Sequence, residues 1–282
     1  MNSSPRAIHH LSCGTMCPRG GRLISGEGSL LGTARIICHC LLIEGAEGLV
    51  LVDTGFGLED MRNPRRLGLP FSTLFRPQGR EAETAIEQIR ALGFDPRDVR
   101  HILATHLDVD HAGGLPDFPE AQVHVLGKEL RAALSPSLLE RERYVAAHWA
   151  HGPRWVEHEV DGDEWQGFES VRVLPGSDAE ILLVPLIGHT RGHTGVAIKR
   201  GDGWLLHCGD AFFHRDELQT PPSCPPVLKT FQNFNSVENG KRKRNQERLR
   251  ELAARSAGEV ELFCSHDPAM FERFSAGASA GN

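Results

Sequence analysis

The sequence is poor in tyrosine, in other aromatic residues and in long apolar segments. One of its 282 residues is tyrosine and aromatic residues make up 6%. No segment approaches the about 20 apolar residues of a membrane-spanning helix, and the N-terminus lacks the apolar stretch of a secretory signal peptide. Positive charge is not in excess, since 31 lysines and arginines stand against 37 acidic residues. We therefore expect a cytoplasmic protein with neither a membrane segment nor a domain-wide nucleic-acid surface.

Cysteine is too sparse and too scattered for a disulfide framework. The seven cysteines are an odd number spread along a long chain, which favours reduced thiols. Cys38 and Cys40 flank His39 and could form a soft-metal site. The surrounding apolar run is more typical of a buried strand, in which cysteine acts as a small hydrophobic residue.

Histidine is the residue in excess, with 15 copies. Imidazole-rich composition points to metal binding or proton transfer rather than to a large aromatic surface. The dense basic run Lys241–Arg244 starts a helical pattern, and we interpret it as a solvated helix face rather than a phosphate site.

Strand-length apolar runs and helical patterns follow each other along most of the chain. The predicted strands are Arg35–Ile43, Gly48–Val52, His101–Ala104, Gln122–Leu126, Glu180–Leu186, Val196–Lys199, Trp204–Cys208 and Val260–Cys264. The predicted helices are Glu81–Leu92, Lys128–Leu134, Leu138–Ala147 and Gln246–Ala254. This order predicts an α/β layered fold with a mixed sheet, as one domain over residues 5–275 and a disordered tail over 276–282.

Three long stretches do not fit the pattern of short connections. They are Gly55–Arg80, Ser135–Gly167 and Phe212–Gly240. Long loops in a compact domain are commonly functional, so we expect them to form walls of a site. Five arginines in the first stretch could meet an anionic substrate, although a salt-bridged surface loop is the simpler interpretation: Arg62, Arg65, Arg66, Arg76 and Arg80.

The segment Thr105–Gly114 has the composition of a metal site. It carries His106, Asp108, Asp110 and His111 directly after a predicted strand and ends in two glycines. A strand that turns sharply into a helix lets such side chains converge on one point. Histidine and aspartate are typical ligands of zinc, iron and manganese.

Further candidate ligands also follow predicted strands. His189 and His193 come after one strand, Asp210 after a second and His266 after a third. Strand ends at one edge of an α/β sheet are where ligands commonly bind. This shared position favours one site over several unrelated histidines.

In these motifs the chain resembles the metallo-β-lactamase superfamily of metal-dependent hydrolases. The Val52–Gly55 turn, the histidine-rich Thr105–His111 segment, the Gly188–His193 segment, the Gly209–Asp210 pair and the Ser265–Asp267 end occur in the order of that family. The resemblance implies a four-layer αββα sandwich with two metal ions at one edge. The N-terminal His9–Thr15 and the general layout are nearest to the homoserine-lactone lactonase-like branch.

The resemblance also implies a role for each matching residue. His106, Asp108 and His189 would hold one metal ion, whereas Asp110, His111 and His266 would hold the other, with Asp210 bridging the two. Asp53 would orient ligands by hydrogen bonding, and His193 would support the site or pack beside it. The expected cofactors are two divalent transition-metal ions, zinc first, with iron or manganese as alternatives.

Asp108 departs from the family pattern, because most hydrolases of the family carry histidine there. With Asp110 and Asp210 it gives the site three carboxylates, which favours harder ions such as iron or manganese. An oxygen-reducing diiron branch also places a carboxylate there, but that branch carries a flavin domain for which this chain has no room.

The expected activity is hydrolysis of an ester, lactone or thioester bond in a small molecule by a metal-bound hydroxide. Asp110 would orient the hydroxide and pass its proton to the leaving group. Lactonases of this family use a tyrosine where this chain has Phe213, so His214 is the alternative donor in the substrate pocket. The sole tyrosine, Tyr144, lies in the middle stretch.

Three alternatives stay open: an iron-dependent redox enzyme, a phosphodiesterase or nuclease of the same superfamily, and a non-catalytic binding protein. The expected partner is a small-molecule substrate, with no nucleic acid and no membrane, for a protein that is a monomer or a homodimer.

Overall fold

Two six-stranded sheets form the centre of the protein, whose computed structural model describes residues 5–174 and 179–279. The first sheet contains, in spatial order, β1 (Ala7–Met16), β2 (Ile36–Gly45), β3 (Gly48–Val52), β4 (Val99–Leu103), β5 (Gln122–Leu126) and β6 (Arg154–His158). Strands β1 to β3 are antiparallel, and β3 to β6 are parallel.

The second sheet is almost entirely antiparallel. It contains β7 (Asp163–Trp165), β8 (Phe168–Val173), β9 (Ile181–Pro185), β10 (Thr194–Arg200), β11 (Gly203–His207) and β12 (Val260–Phe263), and its spatial order runs from β12 to β7. Among the described strands of this sheet, only β11 and β12 pair in parallel. Both sheets bury one face against the other, so Leu103 and Leu126 of the first share one apolar core with Leu183 and Val196 of the second.

Nine α-helices of the described residues cover the outer faces of the sheets or lie in the connecting loops. They are α1 (Gly21–Ser25), α2 (Leu58–Arg62), α3 (Leu69–Phe75), α4 (Ala85–Ala91), α5 (Val109–Ala112), α6 (Gly127–Leu134), α7 (Pro226–Asn235), α8 (Asn239–Arg255) and α9 (Pro268–Ser279). Ile89 of α4 and Leu130 of α6 pack on the first sheet, and Leu249 of α8 packs on the second. The predicted four-layer αββα sandwich is confirmed.

No helix of the described segments is both long and apolar enough to span a bilayer. Of the predicted tail 276–282, the backbone up to Ser279 continues α9, and residues 280–282 lie outside the described part.

The predicted loops contain more regular structure than their composition indicates. Ser135–Gly167 contains β6 and β7, Gly55–Arg80 contains α2 and α3, and Phe212–Gly240 contains α7. Strand β1 was not predicted either, because its two adjacent histidines and its small polar residues interrupt any apolar run. The predicted helix Leu138–Ala147 is wrong: Leu138 and Leu139 are 77% and 96% exposed, so its apolar spacing has no core to face.

The basic run at the start of α8 is solvated except at one position. Lys241, Lys243 and Arg244 are exposed, as predicted. Arg242 is buried instead, and its guanidinium donates hydrogen bonds to the side-chain oxygens of Gln232 and Asn239. These neutral amide partners explain how a cation is accommodated away from water.

Cysteines and surface arginines follow the simpler interpretations. All seven cysteines are free thiols, and burial raises the pKa of Cys38 and of Cys40, which lie within β2. Arg62 lies near Glu59 and Glu81 at 3.2 and 3.0 Å on an exposed surface. The arginine-rich loop is therefore salt-bridged at this point.

Six of the histidines form two hydrogen-bonded groups between the sheets. In one group, ring nitrogens of His101 and His124 are 3.0 Å apart, and those of His124 and His158 are 2.9 Å apart, across β4, β5 and β6. His10, His39 and His207 form the other group at β1, β2 and β11. In both groups, each imidazole forms a hydrogen bond with a neighbouring polar group that would otherwise be unpaired in an apolar layer.

Acid should weaken the sandwich through His124, which is 4% exposed. Burial, followed by the nearby charges of His101 and His158, lowers the pKa of His124 to about 3. Its stabilising contribution is thus complete above the unfolded-state pKa near 6.5 and is lost as the pH falls from there toward 3. We expect His124→Leu to reduce the loss of unfolding free energy between pH 6 and pH 4 by about 1.4 kcal/mol per pH unit.

Urea denaturation of both proteins over this pH range measures the difference, in which the contributions of titrating groups that do not contact His124 cancel. Identical pH slopes would contradict a neutral His124 in the folded protein.

Candidate metal centre

Side chains from four strand ends converge at one edge of the sandwich. The loop after β4 continues into α5, and loops after β9, β11 and β12 reach the same place. They bring together all seven predicted ligands, namely His106, Asp108, Asp110, His111, His189, Asp210 and His266. Asp110 is partly exposed and the other six are buried. The expectation that strand ends meet at one site therefore agrees with the geometry.

The seven side chains fall into two sets of three around one shared carboxylate. In the first ligand set (His106, Asp108, His189), Asp108 Oδ2 lies 3.0 Å from Nε2 of His189 and 3.5 Å from Nε2 of His106. The ligand atoms of this set lie within 4.8 Å of one another, close enough to share an ion.

The second ligand set (Asp110, His111, His266) has the same composition. Asp110 Oδ2 lies 3.6 Å from Nε2 of His266, and Asp110 Oδ1 lies 4.0 Å from Nε2 of His111. Two imidazoles and one carboxylate again face a common point, as a transition-metal site requires.

Asp210 lies between the two sets, and its carboxylate approaches the imidazoles of both. Its Oδ2 is 3.4 Å from Nε2 of His189 and 3.8 Å from Nε2 of His106. Its Oδ1 is 3.3 Å from Nε2 of His111, and Nε2 of His266 lies 3.1 Å from Oδ1 and 3.2 Å from Oδ2. A single carboxylate could thus contact two ions at once.

The outer nitrogens of three imidazoles are hydrogen-bonded to protein groups. Nδ1 of His106 lies 3.0 Å from Thr105 Oγ1, Nδ1 of His111 lies 2.8 Å from Asp53, and Nδ1 of His266 lies 2.7 Å from the carbonyl of Ile37. Donation through Nδ1 leaves the Nε2 lone pair directed into the cluster. This is the arrangement that metal-ligating histidines commonly adopt.

Asp53 directly follows β3 and connects that strand end to the loop after β4. Its carboxylate accepts hydrogen bonds from the backbone N–H and the hydroxyl of Thr105, at 2.8 and 2.7 Å, in addition to His111. Asp53 itself has a φ of 55°, in the left-handed region. A short side chain that bonds locally tolerates this backbone. Asp53 therefore joins Thr105 to His111 through hydrogen bonds, and its role in orienting ligands stays a prediction.

Unpaired buried atoms show that the cluster fits a cation. His106 Nε2, His111 Nε2, Asp108 Oδ1 and Asp210 Oδ1 are buried without a hydrogen-bond partner. Such groups are costly unless a partner satisfies them, and all four are ligand atoms. The donor set thus fits two divalent transition-metal ions.

The electrostatics of the cluster also favour positive charge. Burial opposes charge on Asp210, but His266 and His111 outweigh it and hold the pKa of this carboxyl well below its usual value. In return, the carboxylates of Asp210, Asp53 and Asp110 overcome burial and raise the pKa of His111. Because an ion would displace protons from such imidazoles, metal affinity should fall at low pH.

His193 has both ring nitrogens occupied by the backbone. Its Nδ1 donates to the carbonyl of Leu186, and its Nε2 accepts the backbone N–H of Asp210 at 2.8 Å. No Nε2 lone pair is left for an ion. A Cβ at Gly209 would lie 2.5 Å from His193 Nε2, so this contact requires glycine. His193 thus supports the loop that carries Asp210.

Glu129 of α6 links the two histidine-bearing loops, although no sequence motif marks it. Its Oε1 accepts the backbone N–H of Leu107 at 3.0 Å and the hydroxyl of Tyr144 at 3.2 Å. Its Oε2 accepts the backbone N–H of Gly192 at 3.0 Å. A Cβ at Gly192 would lie 2.3 Å from the Glu129 nitrogen, so glycine permits the approach.

Arg143 is the second residue that the sequence did not indicate. Its Nη1 lies 3.2 Å from Oδ2 of Asp108, and the side chain is 9% exposed. Burial disfavours its charge, but Asp108 raises the pKa of the guanidinium. The signal in the sequence was Asp108 itself, because an extra buried carboxylate in place of a neutral histidine requires a cationic partner.

The predicted substrate-pocket residues have different positions. Phe213 stacks on His266 with ring centroids 5.0 Å apart. His214 lines a neighbouring cavity of about 240 Å³, which shares Phe213 and His266 with a larger cavity over Asp108 and Asp210, but His214 does not border the larger one. Tyr144 is buried with its hydroxyl on Glu129 and also does not border the larger cavity.

A cavity of about 610 Å³ opens over the cluster. Its inner wall includes Asp108, Asp110 and Asp210, and aromatic side chains continue outward from them. Phe213 is 6.0 Å from Phe231 between centroids, and Phe231 is 5.3 Å from Phe75. Most of the long path from the cluster to the surface is therefore apolar.

Comparison with known proteins agrees with this geometry. A family model for the metallo-beta-lactamase superfamily matches residues 34–260. The protein named Probable metallo-hydrolase Rv2300c of Mycobacterium tuberculosis is 45% identical over 95% of this chain and 82% of its own length. The N-acyl homoserine lactonase AttM of Azorhizobium caulinodans is 27% identical over 83% and 82%. The chain belongs to the metallo-beta-lactamase superfamily.

Solved structures share the fold at low sequence identity. An N-acyl homoserine lactone hydrolase with the product N-hexanoyl-L-homoserine bound at its catalytic metal center is 21% identical, with a TM-score of 0.72 and coverage of 96% of both chains. The dizinc quorum-quenching lactonase AidC is 16% identical, with a TM-score of 0.61 over 93% of this chain and 87% of its own.

Removing one acceptor of Glu129 should loosen both histidine loops. In Glu129→Gln, the amide group can replace only one carboxylate oxygen, and its NH₂ faces a backbone N–H that then lacks an acceptor. We expect the free energy of unfolding to fall by about 2 kcal/mol, measured by urea denaturation. The control Glu251→Gln, on an exposed position of α8, should change it by less than about 0.5 kcal/mol. Equal effects of the two changes would refute the linking role of Glu129.

Proposed function

We propose that this member of the metallo-beta-lactamase superfamily is a metallo-hydrolase with a dinuclear centre. It would cleave an ester, lactone or thioester bond in a small molecule with an apolar acyl group. The observation that carries the proposal is the position of Asp210, whose carboxylate lies within 3.8 Å of all four imidazoles of the two ligand sets. Two divalent ions bound there would lower the pKa of a shared water and polarise the bond under attack.

The first ligand set would hold one ion through His106, Asp108 and His189. The second set would hold the other through Asp110, His111 and His266. Zinc is the first expectation, and the AidC lactonase with this fold is described as dizinc. Iron and manganese are the alternatives, because three carboxylates give a harder set of donors than an imidazole-rich site.

Asp110 is the residue proposed to handle the proton. Its side chain is 13% exposed and borders the large cavity, whereas Asp108 and Asp210 are less accessible. A carboxylate at the cavity wall can accept a proton from the attacking water and deliver it to the leaving group. In this role Asp110 both binds and catalyses.

The cavity supports an apolar substrate. Phe213, Phe231 and Phe75 form a row of contacting rings from His266 outward, and Leu228 and Ile24 also face the space. An acyl chain can bury its methylene groups there at about 0.8 kcal/mol each. The mycobacterial relative is named only a metallo-hydrolase and the more distant ones N-acyl homoserine lactonases, so an acyl ester or lactone is the favoured substrate class.

Phe213 distinguishes the proposed reaction from one assisted by a tyrosine hydroxyl. A phenyl ring on His266 can shape the pocket but cannot donate a proton. His214 lines the other cavity, so it is not proposed as the replacement. Activation of the bond would therefore depend on the two ions and Asp110.

Metal content and activity should depend together on the shared carboxylate. We expect the purified protein reconstituted with zinc, manganese or ferrous iron to hold up to two ions per chain, measured by plasma mass spectrometry. Its kcat/KM for ester, lactone or thioester substrates should rise as the acyl chain lengthens, because a longer chain buries more apolar surface. Asp210→Ala and His111→Ala should lower metal content and reduce kcat/KM about a hundredfold or more.

Asp202→Ala, at an exposed turn between β10 and β11, is the control and should change neither quantity. Preferred cleavage of phosphodiesters would favour the nuclease alternative, and oxygen consumption by the iron form would favour the redox alternative. Protein that binds no metal after reconstitution would contradict the proposal.

A further inference from the structure

The two ligand sets are chemically equivalent in their donors. Each contains two imidazoles and one aspartate, and each lies beside the carboxylate of Asp210. By ligand type alone, they should bind a given ion with similar strength. The difference between them lies in the neighbouring charges.

Arg143 is adjacent to the first set only. Its Nη1 lies 3.2 Å from Asp108 Oδ2 and donates to the carbonyl of His189 at 3.3 Å. In the second set, the ion pairs of Asp110 within the described residues involve the imidazoles of His111 and His266, not an arginine or lysine. The first set thus carries a fixed positive charge that the second lacks.

The guanidinium of Arg143 is held in place by more than Asp108. Its Nη2 donates to the carbonyl of Asn235 at the end of α7, and the side chain is largely buried. Partners on two different loops and a helix restrict any movement away from the cluster. The positive charge therefore remains beside Asp108 when an ion enters.

We propose that Arg143 makes the two metal sites unequal, so that Asp110, His111 and His266 hold one ion tightly while His106, Asp108 and His189 hold a second ion that exchanges. The inference rests on the proposed dinuclear centre. Its physical basis is direct: a guanidinium repels a nearby divalent cation and competes with it for Asp108 Oδ2. Asp108 Oδ1, which has no hydrogen-bond partner, remains for the ion.

This arrangement differs from one in which a neutral histidine stands at position 108. Arg143 cancels the charge that Asp108 adds, so the pair contributes no net charge to the cluster. The ligand changes from nitrogen to oxygen while the total charge stays the same. Arg143 is accordingly a positioning residue that sets the affinity of the exchangeable site.

Titration of metal-free protein with Zn²⁺ against a chromophoric chelator tests this inference without an activity measurement. Wild-type protein should show two classes of site that differ at least tenfold in Kd. Arg143→Met, which removes the charge and keeps an unbranched chain, should tighten the weaker class about tenfold or more. Arg143→Lys retains the charge and should keep the weaker class weak.

Arg191→Met is the matched control. Arg191 lies on the loop of His189 and pairs with Glu140 at 2.7 Å, but it makes no ion pair with the cluster. Its replacement should leave both Kd values unchanged. To assign the classes, His189→Ala should abolish the weaker site, and His266→Ala should abolish the tighter one.

The outcomes separate this inference from the proposed function. Two equally tight sites in the wild-type protein, or an unchanged weaker site in Arg143→Met, would overturn the role of Arg143 and leave the dinuclear centre intact. Absence of any bound Zn²⁺ would overturn the dinuclear centre itself. If Arg143→Met does not fold, the wild-type and Arg143→Lys isotherms still decide, because a single class of sites in the wild type contradicts the inference.

Discussion

The shared carboxylate of Asp210 is the constraint on which the rest of the site depends. A single carboxylate whose oxygens lie within 3.8 Å of the imidazoles of His106, His189, His111 and His266 must lie midway between loops from both sheets. In this fold, the strand ends that meet at one edge of the sandwich provide that position. The buried negative charge that results is tolerated because imidazoles surround it, and its unpaired oxygen makes the cluster receptive to cations.

Hydrogen bonds from neighbouring residues fix the positions of the candidate ligands around Asp210. Asp53 holds both Thr105 and His111, His193 holds the backbone of Asp210, and Glu129 holds the two histidine loops to α6. Each of these contacts uses a buried polar group that has few alternative partners. The candidate ligands are therefore held in their directions by the protein itself, which would reduce the ordering that metal binding requires.

The sequence predicted that these side chains would meet, because motif and strand-end position gave the same answer. His106 to His111, His189, Asp210 and His266 each follow an apolar run, and the sheet brings those ends together. Asp108 signals that a cationic partner is needed, but neither the identity of that partner, Arg143, nor the role of Glu129 could be predicted. A charged residue on a helix or in a loop is ordinarily solvated, and only the fold shows its buried partners. The helix expected at Leu138–Ala147 failed for a related reason: apolar spacing does not reveal whether a core lies beside it.

Anomalous X-ray diffraction from crystals of the zinc-loaded protein tests the central claim most directly. We expect two anomalous peaks that appear above the zinc absorption edge and are absent below it. One should contact Oδ1 and the other Oδ2 of Asp210. The peak near Arg143 should have the lower occupancy when zinc is limiting. A single peak that all of the imidazoles surround, or two peaks that Asp210 does not bridge, would contradict the account.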